Sequence, residues 1–248
     1  MSWILLGSIL SVALVIMLVV WGCRVMDSPQ SLRIHITLGG IMVMLTGSLF
    51  GFIANNVVSG GTLTVVDIEI AQWLHEHGSP MLTQCLLIIT NLHDPWVISP
   101  IAALITLTLA WKKRLYAALA ILLIVQGGML LNLLAKQIFH RARPSFENPL
   151  ITLTTYSFPS GHVVASTVFY GVLAALLITK THSRSGAAVI LLIASAMIVL
   201  VAFSRLYLGA HYLSDVLAAF LEAIAWLVLC LTAIHSHRIY YQQRSIFY

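Results

Sequence analysis

The sequence predicts an all-α protein, a polytopic transmembrane helical bundle of six to seven spans, on three observations. Of its 248 residues, 60% are apolar and 8% charged, and the mean hydropathy is +0.97, whereas soluble domains are about half apolar and a quarter charged. Apolar runs close to the roughly 20 residues needed to cross a bilayer recur along the whole chain. No stretch alternates apolar and polar residues over about ten positions, as a membrane barrel would.

Seven runs qualify: 3–21, 34–54, 88–111, 115–135, 162–179, 186–203 and 212–234. They use most of the chain, so one integral membrane domain is expected over 1–248. The first lacks a basic leader and a small-residue cleavage pattern before Cys23 and Arg24, so it reads as a helix rather than a signal peptide. Without it the count is six. Between the second and third runs, residues 55–80 carry Asp67, Glu69 and Glu76 but no Lys or Arg. Ile68, Ala71, Trp73 and Leu74 recur there with helical spacing, which predicts an outer-face loop containing a short interfacial helix. His75 and His77, two apart, would point to different helix faces, so no metal site is expected from them. Pro95 should kink or delay the third run, with Asp94 as its cap and His93 and Asp94 marking an interfacial helix start or, as the lesser alternative, a supporting element near the site. Gly127 and Gly128 in the fourth run predict a close helix–helix contact.

The net charge of +5 suits topology better than a nucleic-acid partner, because the basic residues form no stripe. Arg24 and Arg33, then Lys112, Lys113 and Arg114, then Lys180 and Arg184, then Arg238 and Arg244 all fall on one face of a seven-span chain, which the positive-inside rule makes cytoplasmic. Lys136, Arg141, Arg143 and Arg205 fall on the other face and need another reason. Cys23, Cys85 and Cys230 are scattered in or beside apolar runs, with neither disulfide nor metal-ligand spacing.

Three clusters share that outer face. In "KQIFHRARP", Lys136 precedes Arg143 and Pro144. In "PSGH", Pro159, Ser160, Gly161 and His162 stand directly before an apolar helix, whose N-terminal N–H groups and dipole suit an anion. In "SRLYLGAHYLSD", Ser204 and Arg205 precede His211 and Asp215, which share a face if that turn is helical. An aspartate accepting from one imidazole nitrogen frees the other to attack or to move a proton. Three cations around N–H donors suit a tetrahedral oxyanion, above all phosphate, and two histidines can divide attack and leaving-group protonation. No cofactor and no metal is called for by this set.

The patterns K-x6-RP over Lys136–Pro144, PSGH over Pro159–His162 and SR-x5-H-x3-D over Ser204–Asp215 resemble the three-part signature of the type-2 phosphatidic acid phosphatase superfamily. The resemblance covers a motif-bearing core of about 112–233. It implies a metal-independent lipid phosphate or diphosphate phosphatase acting at the outer face of a bacterial plasma (inner) membrane, towards the periplasm or exterior. It also implies His211 as nucleophile, Asp215 as its orienting partner, His162 as acid for the leaving group, and Lys136, Arg143, Ser160, Gly161 and Arg205 as phosphate-binding residues. Arg141 lies outside the pattern and reads as a headgroup contact. The expected partner is a membrane lipid phosphate such as undecaprenyl diphosphate, phosphatidylglycerol phosphate or phosphatidic acid; the motifs read only the phosphate and do not rank these, nor do they fix an oligomeric state. Two alternatives stay open: a phosphotransferase passing the group to lipid A or another acceptor, and a non-catalytic lipid transporter or receptor.

Overall fold

The computed structural model describes residues 29–181 and 183–244; the run at 3–21 lies outside them. The described residues are mostly helical, with no strand among them and a long non-helical segment at 140–160. In chain order the helices are α1 (Pro29–Val58), α2 (Thr62–Glu76), α3 (Pro80–Leu92), α4 (Pro95–Trp111), α5 (Leu115–Ile121), a π-helical turn (Leu122–Gln126), α6 (Gly127–Phe139), α7 (Gly161–Ile178), α8 (Arg184–Tyr207) and α9 (Leu213–Arg244).

Five stretches are long and apolar enough to cross a membrane: Arg33–Val58, the α5–π–α6 rod over Leu115–Phe139, α7, α8, and α9 as far as His237. The run expected at 88–111 is not one straight helix. α3 and α4 qualify only as a pair, bent by 42°. The break has a local cause: Pro95 begins α4 at a position where its missing N–H costs nothing, and Asp94 Oδ1 accepts the Trp96 N–H at 2.8 Å.

α7 lies at the centre. Val163, Val164, Val168 and Val172 are fully buried, so this helix has no polar face and packs on α8 and α9, while α9 also packs along α1. The small-residue contact expected at Gly127 and Gly128 is present. A Cβ at Gly127 would lie 2.5 Å from the Trp226 ring, and one at Gly128 would lie 3.0 Å from Val168. Outside, Met44, Leu107, Ile138 and Leu192 are exposed, as lipid-facing side chains should be.

The chain's basic turns, Lys112–Arg114 between α4 and α5 and Lys180 after α7, lie at the far helix ends from Asp94 and Gly161. At the near ends the C-termini of α6 and α8 meet the N-termini of α7 and α9. The three motif clusters occupy these four ends.

Candidate active site

α6 ends at His140, which adopts a left-handed C-cap with φ 48°, and the chain then runs back across the bundle end. The first motif's cations hold this return. Lys136 Nζ donates to the Tyr156 carbonyl at 2.6 Å, and Arg143 donates to the Thr155 carbonyl at 2.6 Å and to Thr155 Oγ1 at 2.8 Å. The segment they grip leads directly into Ser160 and Gly161, where α7 begins. Ser160 N–H bonds the Asp215 carbonyl at 3.1 Å. Its buried Oγ has no partner among the described residues, so the helix start presents a free hydroxyl alongside its unpaired N–H groups.

Arg205, in the last turn of α8, is 2% exposed. Its Nη1 donates to Thr90 Oγ1 at 2.6 Å, but its Nε has no partner, and among the described residues no carboxylate stands within 4.0 Å of it. A buried guanidinium without a carboxylate is costly unless an anion joins it.

The chain turns sharply from α8 to α9. Gly209 has φ +66°, and a Cβ there would lie 2.7 Å from the Phe146 ring, so both backbone and space require glycine. This turn delivers His211 to the cations. Arg143 Nη1 donates to the Ala210 carbonyl at 2.7 Å and to His211 Nε2 at 3.2 Å. A nitrogen that accepts carries the lone pair, so the ring proton belongs on Nδ1, which lies 3.4 Å from Asp215 Oδ2. That separation is ion-pair distance rather than an aligned hydrogen bond. Asp215 itself is fixed: Oδ2 accepts the Tyr212 N–H at 2.9 Å and Oδ1 accepts Arg141 Nη1 at 2.6 Å. Burial, reinforced by Arg205, Arg143 and Lys136 and only partly opposed by the Ser157 carbonyl, holds His211 well below the ordinary histidine value. It is therefore a free base at neutral pH. Burial also lowers Arg143, against the pull of Asp215.

His162, in the first turn of α7, is close enough for the charges of Arg205, Arg143 and Lys136 to act on it. Its Nε2 lies 3.5 Å from Asp94 Oδ2, and the Asp94 side chain is 37% exposed. All eight residues expected from the motifs thus lie at one end of the bundle, Arg143, His211 and Asp215 in mutual contact.

Several neighbours were not expected. Arg141 is not a headgroup contact: its guanidinium bridges Asp67 at 2.7 Å and Asp215 at 2.6 Å. Burial works against its charge, but Asp215 and Asp67 outweigh that and raise it above the ordinary arginine value. Asp67 is not a surface residue of the interfacial helix; it is 2% exposed on the face that also buries Ala71 and Leu74. Its spacing from those two, four and seven residues, is the signal that could have revealed it. Asp94, besides capping α4, reaches His162. Asn132 donates to Glu222 Oε2 at 3.1 Å and to the Pro159 carbonyl at 3.4 Å beneath the start of α7. An acid inside an apolar span was the available sign for Glu222. His75 stacks on Phe146, and His77 stacks on Trp73.

Fold and site together define a membrane-embedded, all-helical protein with a cationic site and two histidines at one end of the bundle. Residues 97–239 match the model of the PAP2 superfamily, and the chain belongs to that family. Phosphatidylglycerophosphatase B of Bacillus subtilis (strain 168) is 32% identical over 146 residues, covering 57% of this chain and 70% of the relative. The crystal structure of a transmembrane PAP2-type phosphatidylglycerolphosphate phosphatase from Bacillus subtilis superposes with a TM-score of 0.69 at 26% identity, over 76% of this chain and 93% of that one. Aquifex aeolicus LpxE shares the fold, with a TM-score of 0.51 at 21% identity, over 67% of this chain and 94% of that one. The chain is accordingly a bacterial membrane lipid phosphatase, a hydrolase of phosphate esters or anhydrides.

Proposed function

We propose that the protein hydrolyses lipid phosphates or diphosphates without a metal ion, through a phosphohistidine on His211. One observation carries this reading: Arg143 donates to His211 Nε2 while Asp215 faces Nδ1. The lone pair is thereby held beside a phosphate-binding guanidinium. In the first step Nε2 attacks phosphorus, an N–P bond forms, and the P–O bond to the lipid breaks as His162 gives its proton to the departing oxygen. In the second, water attacks the phosphohistidine, His162 takes the proton back, and inorganic phosphate leaves with His211 restored. Asp215 keeps the Nδ1 proton in place throughout. Lys136, Arg143, Arg205, Ser160 and the Gly161 N–H stabilise the charge that gathers on the equatorial oxygens.

The site lies at the ends of membrane-spanning helices, where a substrate with a hydrocarbon tail can present its phosphate to water. The basic turns at the opposite end favour an inner-membrane orientation with the site towards the periplasm or exterior. Phosphatidylglycerol phosphate, undecaprenyl diphosphate and phosphatidic acid are the substrates to compare, the first having the support of the Bacillus relative's name. The test is phosphate release by the detergent-purified chain with EDTA present, with His211→Ala alongside. Release by the wild type alone is expected. Release abolished by EDTA, or retained in His211→Ala, would overturn the mechanism, and phosphate appearing on an acceptor lipid in place of free phosphate would make the protein a phosphotransferase.

A further inference from the structure

α2 carries none of the three motifs, yet it sends one carboxylate into the site. Asp67 Oδ1 accepts the Ser214 N–H at 2.9 Å, so a residue 147 positions away caps the first turn of α9. Asp67 Oδ2 accepts from Ser214 Oγ and from Arg141 Nη2. Arg141 Nη1 in turn donates to Ser214 Oγ at 2.7 Å and to Asp215 Oδ1 at 2.6 Å, and its guanidinium lies 4.3 Å above the Tyr212 ring. Anion, cation and anion thus stand in series behind His211. With the Tyr212 N–H on its other oxygen, Asp215 is gripped at both ends and cannot rotate about its own side chain.

A buried ion pair by itself contributes little net stability, since apolar residues of the same shape often do as well. This one joins the carboxylate that faces the proposed nucleophile. We propose that Asp67 and Arg141 are positioning residues for His211: together they hold the Asp215 carboxylate where it faces Nδ1, and they make α2 part of the catalytic apparatus. Neither touches Nε2, the other ring nitrogen, where Arg143 stands and where the phosphohistidine reading puts the phosphate. The inference rests on the phosphohistidine reading above.

The difference between positioning and cradle predicts a split. In Asp67→Asn and Arg141→Gln, kcat for phosphatidylglycerol phosphate should fall by about tenfold or more, while the inhibition constant of inorganic phosphate changes by less than about threefold. Arg141→Lys, which keeps the charge but loses the fork, should recover part of the rate. Arg141→Gln strands two buried carboxylates and can unfold the protein, whereas Asp67→Asn leaves the Arg141–Asp215 pair in place. The double variant Asp67→Asn/Arg141→Gln leaves only Asp215 without its cation; it should regain thermal stability relative to Arg141→Gln and remain slow. Single and double variants that stay folded with kcat within about twofold of wild type would overturn the proposal. So would a phosphate inhibition constant that rises in step with the loss of rate, because the cradle would then have moved as well. A wild-type protein that forms no phosphoenzyme and releases no phosphate would instead overturn the reading beneath it.

Discussion

His211 and His162 share one set of cations but not one kind of surroundings. His211 is 2% exposed and backs onto a closed series of fixed charges, Asp215, Arg141 and Asp67. His162 faces Asp94, a single carboxylate that is 37% exposed at the bent junction of α3 and α4. The difference matches the two tasks proposed for them. A nucleophile needs a fixed direction and a free lone pair, which burial and rigid partners supply. A group that gives up a proton and takes one back from water gains from a carboxylate neighbour that water can reach.

The strongest way to break that comparison is His211→Ala. It removes the atom that forms the covalent bond, so phosphate release and acid-labile labelling of the protein should fall by on the order of 10⁴-fold or to background. Labelling retained in this variant would move the nucleophile elsewhere. His162→Ala should cost about 10²–10⁴-fold on lipid monoesters. The loss should be far smaller on p-nitrophenyl phosphate, whose leaving group needs no proton, and equal losses on both would give His162 a role other than acid. Arg205→Ala removes a cation used by both histidines, so steady-state kcat/KM should drop by about 10²–10³-fold on either substrate. Asp94→Asn should be milder, about three- to tenfold in kcat, because Asp94 is itself exposed and water can stand in for its charge. A loss as large as that of His162→Ala would show that Asp94 is as fixed a partner as Asp215.

The last prediction concerns pH. Since burial and three cations hold His211 well below 6.5, its competent free base persists as the pH falls through that value. The rate of phosphohistidine formation should therefore show no acid limb near 6.5. Single-turnover labelling between about pH 5 and 8 would check this, and a limb near 6.5 assigned to His211 would mean that its surroundings are wetter than the structure shows.

Much of the site was legible in the chain because its logic is local. His211 and Asp215 are one helical turn apart, Ser160 and Gly161 precede an apolar helix, and basic residues on the outer face break a topological rule that the other basic residues obey. Arg141 was visible as such an exception, but its partners, Asp67 and Asp215, are each 74 residues away. Asp94 was legible as a helix cap and, as the lesser alternative, as a residue near the site, but not as the neighbour of His162 in particular. The straight span expected at 88–111 became a bent pair because Pro95 and its cap act more strongly than the continuity of the apolar run.

By itself the sequence determined that the chain is a helical membrane bundle, and it singled out residues that the structure brings together at one end of the helices. Those properties follow from apolar length, from charge placement and from side chains within one turn of each other. Only the tertiary structure decided what surrounds each histidine. A carboxylate on α2 reaches Asp215 through Arg141, and another at the start of α4 reaches His162, because the packing of α7, α8 and α9 brings distant helix ends within hydrogen-bond distance, and no spacing along the chain encodes a contact between helices.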